Sequence, residues 1–491
     1  VLNIGTFTQT ATGQLLASQS LSGSGGTWIN NGLLASDGSF SLNLSGAYSG
    51  AGQVTSLGAL NLKAASLDLA SAARISGGGV STISSTGTLT NRGRLTSAGG
   101  LTLSAATLNN YGTLGSSETL RLVAPNLLNE RGLIFSGDDM ALRVDYFTNK
   151  YADLFSLGAL SIARDDQLAR SSSLDNISST LESAGHMDIR AQRLDNRTDI
   201  FTLGRKLTSG YIAIRCYDCS GDNYNVDYIA KEFYEGGVLD ESPAAFITAG
   251  GNFNFTGGDF FNRQSSISAA GNIDIQATSF SNIGAQGGSI EKTRIYNTGW
   301  VTDGTVSRFV SSYVLPYNQR NNPDFPNIYY VDDSGNTRLA RTVFGYTGGK
   351  PSDREPVIRY YDMSTGRQIT NTYSGINAWT AQKNGLPKSQ YDPNNLLQLP
   401  SSLAARYSLV SDVEVALGGG EIRNAIVQAK GSVLIQASQT LENSVIRNDY
   451  QVGDGVSRVG ATLAQGTGKT TFFVLNAQLP PSLQQKQVNP L

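Results

Sequence analysis

Apolar positions recur along the first part of the chain with a period near twenty residues and a fixed internal order. Between Leu89 and Ile162 four units read alike: an Asn, a small residue, one apolar residue, then an apolar-x-apolar doublet. The Asn positions are Asn91, Asn110, Asn129 and Asn149, at steps of 19, 19 and 20. The single apolar residues are Leu95, Leu114, Ile134 and Leu154, and the doublets are Leu101/Leu103, Leu120/Leu122, Met140/Leu142 and Leu160/Ile162. Residues two apart on a strand face the same way, so each doublet aims both side chains into one core. Such a unit is too short for two helices. It suits one coil of a parallel β-solenoid, in which equal positions stack into ladders about 4.8 Å apart. Asn tolerates left-handed backbone angles and can form a hydrogen-bonded ladder at a turn, and Gly93, Gly112 and Gly132 fit the bend beside it. A β-sandwich would not hold a fixed period through so many units.

The pattern extends both ways. Backward from Leu95, the residues Ile75, Val54, Leu34 and Leu15 fall at steps of 20, 21, 20 and 19, with doublets at Leu42/Leu44 and Leu60/Leu62. Forward, the step from Leu154 to Leu181 is 27, which predicts a loop around Arg164–Ser173. Asn176, Met187/Ile189 and Asn196 then restore the order. The signature returns at Ile247, Phe253/Phe255, Asn262, Ile267, Ile273/Ile275 and Asn282. It returns again at Val413/Val415, Asn424, Val427, Val433/Ile435, Leu441 and Asn443. The expected fold is all-β: a right-handed parallel β-helix interrupted by a β-hairpin and loop-rich insertion. The segments read as a β-helix over 1–200, a first insertion with returning coils over 201–283, a recognition head over 284–410, resumed coils over 411–478, and a Pro/Gln-rich linker over 479–491.

The insertions differ from the rod in composition. From Gly284 to Tyr407 lie 8 of the 13 prolines, 16 aromatic residues, and 13 Lys/Arg against 9 Asp/Glu. Two hairpins are legible, Tyr329–Phe344 turning at Asp333–Asn336 and Ile358–Tyr373 turning at Ser364–Gly366. Pro316, Pro323 and Pro326 mark loop. Tyr and Trp supply rigid contact area with a polar tip, so a ring-rich, mildly basic insertion on a neutral rod reads as a binding head. Part of its rings must form its own core.

Charge and cysteine content narrow the chemistry. The net charge is −2, so there is no bulk drive toward nucleic acid. The only histidine is His186, which argues against His-based metal or acid–base chemistry. No cofactor is expected. Cys216 and Cys219 form Cys-x-x-Cys; zinc would need a second ligand pair and a thioredoxin-like motif a βαβ context, whereas a structural disulfide pinning a loop fits and implies an oxidising compartment. The Gly466–Thr471 stretch lacks the first Gly of a phosphate loop. Asp332-Asp333-Ser-Gly-Asn336 has turn spacing, not that of a calcium loop. The coils carry too few carboxylates for a polysaccharide-cleaving groove. The chain starts without a basic and apolar leader and reads as a fragment of something longer.

The stretches NRGRLTSAGGLTLSA and NERGLIFSGDDMALRV resemble filamentous haemagglutinin repeats, found in exoproteins of two-partner secretion in Gram-negative bacteria. The resemblance covers roughly residues 1–196, with echoes at 245–283 and 411–443. Repeats, a Tyr-rich interruption and a Pro-rich exit are together similar to the CdiA-type effectors of contact-dependent growth inhibition. The resemblance implies a secreted, cell-surface rod exported by an outer-membrane transporter, a receptor-binding region, and a toxin that is not part of this sequence. The implied partner is an outer-membrane receptor on a neighbouring cell, either lipopolysaccharide or a β-barrel protein, with the chain itself a monomer. Local positive charge and rings favour a phosphate-bearing glycan. The expected contacts are Arg338, Arg341, Lys350, Arg354, Arg359 and Arg367 with Tyr330, Tyr346, Tyr360, Tyr361 and Trp379. The alternatives are a haemagglutinin-type adhesin for host cells and a polysaccharide-cleaving enzyme.

Overall fold

The computed structural model describes residues 1–369, 385–452, 455–458, 462–465 and 471–472. Its rod is a right-handed β-solenoid of about 14 turns with coils near twenty residues. Each coil has three short strands, which stack as three columns. The first column is a twelve-stranded parallel sheet from Gln14–Ala17 to Ile426–Ala429. In it Leu95 sits between Ile75 and Leu114, in the register read from the sequence. The second column carries the doublets, with Leu101/Leu103 pairing onto Leu120/Leu122. The residues matching Leu60/Leu62 one rung earlier are Phe40/Leu42 rather than Leu42/Leu44; the alternation of that strand continues to Leu44, so the sequence alone cannot fix which pair is in register.

The third column carries one apolar residue and, two positions on, the Asn. Here the Asn side chains form an unbroken ladder: Asn91, Asn110, Asn129, Asn149, Asn176, Asn196, Asn262, Asn282 and Asn443. Each donates its amide N–H to the next carbonyl oxygen at 2.7–2.9 Å. Asn424 is not a member. It is exposed, and Asn282 donates instead to Asn443 and to the Ala425 carbonyl. Beside the ladder Gly112 lies so close to the previous rung that a Cβ would sit 2.1 Å from the Gly93 carbonyl oxygen, which is why that bend takes glycine.

Both excursions leave the rod at this Asn corner. After Asn196 the chain runs out along β1 (Phe201–Asp218) and back along β2 (Asn223–Glu241). After Asn282 it runs out along β3 (Ser289–Thr302). It then passes through β4 (Ile328–Val331), β5 (Thr337–Thr347), β6 (Glu355–Asp362) and β7 (Gln368–Ile369), and returns along β8 (Ser408–Gly418). The two insertions make one sheet, ordered β7-β6-β5-β4-β1-β2-β3-β8. Between the exits one corner is turned in the ordinary way, from Asn262 to Ser266. Strands in a sheet and rungs in a solenoid share one spacing, about 4.8 Å. That single ordinary turn therefore gives each of β1, β2, β3 and β8 a rung level of its own.

Three corrections follow. Residues 411–418 belong to the head, because β8 pairs antiparallel with β3. Val413/Val415 are then exposed strand residues and not a core doublet, and the coils resume at Ile426. The insertion also contains helices: α1 (Asp303–Phe309), a π-helical turn (Val310–Val314), α2 (Leu315–Asn321) and α3 (Ser401–Arg406). Pro316 is the second residue of α2, directly after the π-helical turn, inside a helical run continuous from Asp303 and not in a loop. The Asp333–Asn336 and Ser364–Gly366 turns form as expected, with Gly335 and Gly366 at φ +84° and +70°; the later part of the second hairpin lies outside the described residues.

The helices cover one face of the head sheet. Phe309, Val310, Val314, Tyr317 and Leu403 pack there on Ile212, Ile214, Tyr228, Tyr296, Tyr330, Ile358 and Tyr360. Within that core the buried Glu232 carboxylate pairs with Arg294 and accepts hydrogen bonds from the Tyr317 and Tyr234 hydroxyls, both at 3.1 Å. Burial holds the Tyr317 phenol far above its ordinary pKa, so it stays a donor. Cys216 and Cys219 are bonded at the tip of the β1–β2 hairpin.

Candidate recognition face

The sequences of β1 and β2 are apolar on both parities, as a sheet packed on two sides requires. Ile212 and Ile214 enter the helix-covered core, while Tyr211 and Ala213 face the other way. On that second face Tyr211, Ala213, Ile229 and Val331 form a small cluster with Phe233, Ile295 and Tyr329 around it. Tyr211 and Tyr329 stack with ring centroids 3.8 Å apart, and Phe233 lies 6.3 Å from Tyr211. Burial, then hydrogen bonding to Asp324, raises the Tyr329 phenol; burial does the same for Tyr211. Both rings stay neutral through the whole physiological range.

Strand pairing extends this face onto β5 and β6. Arg341 pairs with Tyr361 and Val343 with Arg359, all on the parity opposite the core residues Ala340, Ile358 and Tyr360. The Arg341 guanidinium lies 6.0 Å from the Tyr361 ring centroid, within cation–π reach. Near the β1–β2 tip Arg215 covers the Tyr217 ring at 4.9 Å. Lys231 is bound to Glu291 at 2.8 Å. Tyr211, Ala213, Ile229 and Val331 are buried within this cluster, so the accessible part of the face is the exposed Arg341 with the half-buried Tyr329, Arg359 and Tyr361.

The sequence-expected contacts separate into groups. Arg341, Arg359 and Tyr361 share the helix-free face. Tyr346, Lys350 and Arg354 are exposed at the β5–β6 end, with Tyr346 edge-on to Phe344 at 5.2 Å. Arg367 is exposed at the β6–β7 turn. Among the described residues none of Arg341, Lys350, Arg354, Arg359 and Arg367 is in an ion pair. Arg338 is committed to Asp332 at 2.5 Å and to Ser364 at 3.1 Å, which closes the turns. Tyr330 and Tyr360 are core residues, 8 % and 1 % exposed. Burial and then the bond to Asp362 push the Tyr330 phenol up to about 12. These two are corrected from contacts to core. Trp379 lies outside the described residues. Asp332 accepts from the Ser334 and Asn336 amides at 3.0 and 2.8 Å, so the turn uses its carboxylate. Phe233 and Arg215 are not among the sequence-expected contacts; their signal is the two-sided apolar alternation from Gly210 to Gly237, whereas Tyr329 opens the hairpin read from the sequence.

A long parallel β-solenoid with a sheet-built head on its flank defines a repeat rod of the kind that filamentous proteins use. The haemagglutinin repeat family matches residues 5–43, 35–93, 95–150, 155–210, 224–299 and 402–468, well over half of the chain. The chain belongs to this family and is a filamentous haemagglutinin-type repeat protein. Proteins of this type are adhesin-like exoproteins, secreted or surface-exposed. No curated protein and no solved structure matches the chain. Among the described residues no helix is long and apolar enough to cross a membrane.

Proposed function

We propose that the head is the receptor-binding part of a toxin-delivery exoprotein, and that it grips an outer-membrane receptor on a neighbouring Gram-negative cell during contact-dependent growth inhibition. The observation that carries this reading is the helix-free face, where Arg341, Arg359 and Tyr361 lie together beside the half-buried Tyr329, whose ring is backed by the buried Tyr211. Guanidinium forks bind phosphate and carboxylate, and rings stack on sugars or on exposed apolar side chains. The receptor is lipopolysaccharide or a β-barrel protein. The fragment added free should protect target bacteria from inhibitor cells, and R341E/R359E/Y361A should lose protection with its melting temperature unchanged. Absence of protection, or full protection by the triple variant, rejects the proposal. Unchanged binding to cells with truncated lipopolysaccharide rejects the glycan version alone.

The family match by itself favours a second reading, a haemagglutinin-type adhesin for host cells. It requires saturable binding to host cells and no effect on bacterial competition.

A further inference from the structure

The head sheet ends on β8, and we propose that the free edge of β8 docks an extended segment of another protein whose side chains alternate between apolar and basic. β8 pairs with β3 on one side, and among the described residues no strand pairs with it on the other. β-bulges at Val410 and Leu417 leave Ser411–Ala416 as the regular part of this edge, with a row of backbone donors and acceptors open to a further strand. Soluble proteins blunt such edges with Lys, Pro, short length, β-bulges or inward-pointing charge, and here the bulges confine the open stretch to its middle. β8 carries neither Lys nor Pro. Instead Leu409, Val410, Val413, Val415 and Leu417 are each 49–59 % exposed.

Side chains along the edge select the partner. Val413 and Val415 pair with Thr293 and Glu291 on the helix-free side, continuing the apolar row from Ile229 and Ile295. Asp412 and Glu414 alternate with them on the other side. Lys292 lies 3.5 Å from Asp412 and 3.0 Å from Glu414, and Arg205 lies 3.5 Å from Glu414. Both cations are on inner strands and are the more buried partners, so the two carboxylates keep their outer flank toward whatever pairs next. A strand that sets Lys or Arg beside the acids and aliphatic residues beside the valines satisfies both rows. A second copy of β8 does not. Antiparallel pairing about Val413 sets Asp412 opposite Glu414 twice, and like charges directly opposite destabilise a sheet. The inference does not rest on the recognition face, which lies across the sheet on other residues.

The test uses the full chain and three short synthetic peptides: alternating Val/Lys, alternating Val/Glu, and Val/Lys with alternate backbone nitrogens methylated. The Val/Lys peptide should bind and slow amide exchange across residues 411–416. The other two should bind about tenfold or more weakly. The V413K/V415K variant changes only exposed side chains and should lose the Val/Lys peptide by a similar factor while keeping its melting temperature. R341E should bind it normally, which separates this edge from the recognition face. Failure of the Val/Lys peptide to bind, equal binding of all three peptides, or undiminished binding by V413K/V415K overturns the proposal. So does a concentration-dependent dimer with β8 amides already protected before peptide is added.

Discussion

Asn149 shows why a single residue type can hold a rod together. Its side-chain amide donates to Asn176, to the Ala152 carbonyl and to the Thr180 carbonyl, and its own carbonyl oxygen accepts from Asn129. Asn129, Asn149 and Asn176 are fully buried. Asn149→Ala leaves several buried groups without partners, at about 1–3 kcal/mol for each unsatisfied group. A fall in stability of about 2–4 kcal/mol is expected from urea titration, against little change for a substitution at exposed Tyr146. The Asn column was legible because only a residue that donates and accepts along the stack can repeat there. Asn424 misled because Val413/Val415 upstream of it copy the rung pattern while lying on an exposed strand. The division of Tyr330 and Tyr360 from Arg341 and Tyr361 was not legible, because adjacent positions on a two-sided strand differ only in which layer lies above them.

Among elements, the neck where β2, β3 and β8 meet the rod is built from backbone contacts that leave no pattern in hydrophobicity. A Cβ on Gly420 would sit 1.7 Å from the Gly287 carbonyl oxygen, and one on Gly287 2.3 Å from the Gly236 carbonyl carbon. Gly420 also holds φ at +94°. Gly420→Ala must push the neck strands apart and should cost about 1–3 kcal/mol. Loss of tyrosine near-ultraviolet dichroism at a temperature where the rod keeps its far-ultraviolet signal would show it. The same neck is clasped by charge. Arg423 makes two bonds to Glu241, at 2.7 and 2.6 Å, and another to Glu421 at 2.7 Å. The Val238 amide, then Arg423, holds the Glu421 carboxyl below its ordinary pKa. A carboxylate lowered in the fold contributes fully above its ordinary value of 4.5 and is lost as pH falls through the lowered value. The protection factor of the Val238 amide, its exchange rate relative to the intrinsic rate at each pH, should therefore fall on going from pH 7 to pH 3, and much less so in Glu421→Gln. The hairpins of the head were legible from their Gly turns. The helices were not, because Pro316 signals a break by itself, and the helical run through it depends on the packing of Val310, Val314 and Tyr317.

For the whole molecule, the matching of head strands to rung levels makes a specific demand on chain length between the exits. Deleting residues 246–265 removes one rung and places β2 and β3 on the same level. The head sheet should then fail to form, with loss of the tyrosine signal. Deleting residues 92–110 removes a rung elsewhere, and should shorten the rod by about 4.8 Å with the head intact. Small-angle scattering and near-ultraviolet dichroism together distinguish the two. The continuity of the rod through both insertions was legible from the returning period. That the insertions would join into one sheet was not, because pairing between β2 and β3 depends on how many rungs separate them in space.

The Asn ladder runs unbroken past the levels from which the head departs. Tension along the axis is consequently carried from rung to rung and bypasses the head, which is attached in parallel with the rod and not in series. A tether gripping the head would instead shear four neighbouring strands at once where they join the corner, so the attachment should yield at a higher force than a single strand peeled alone.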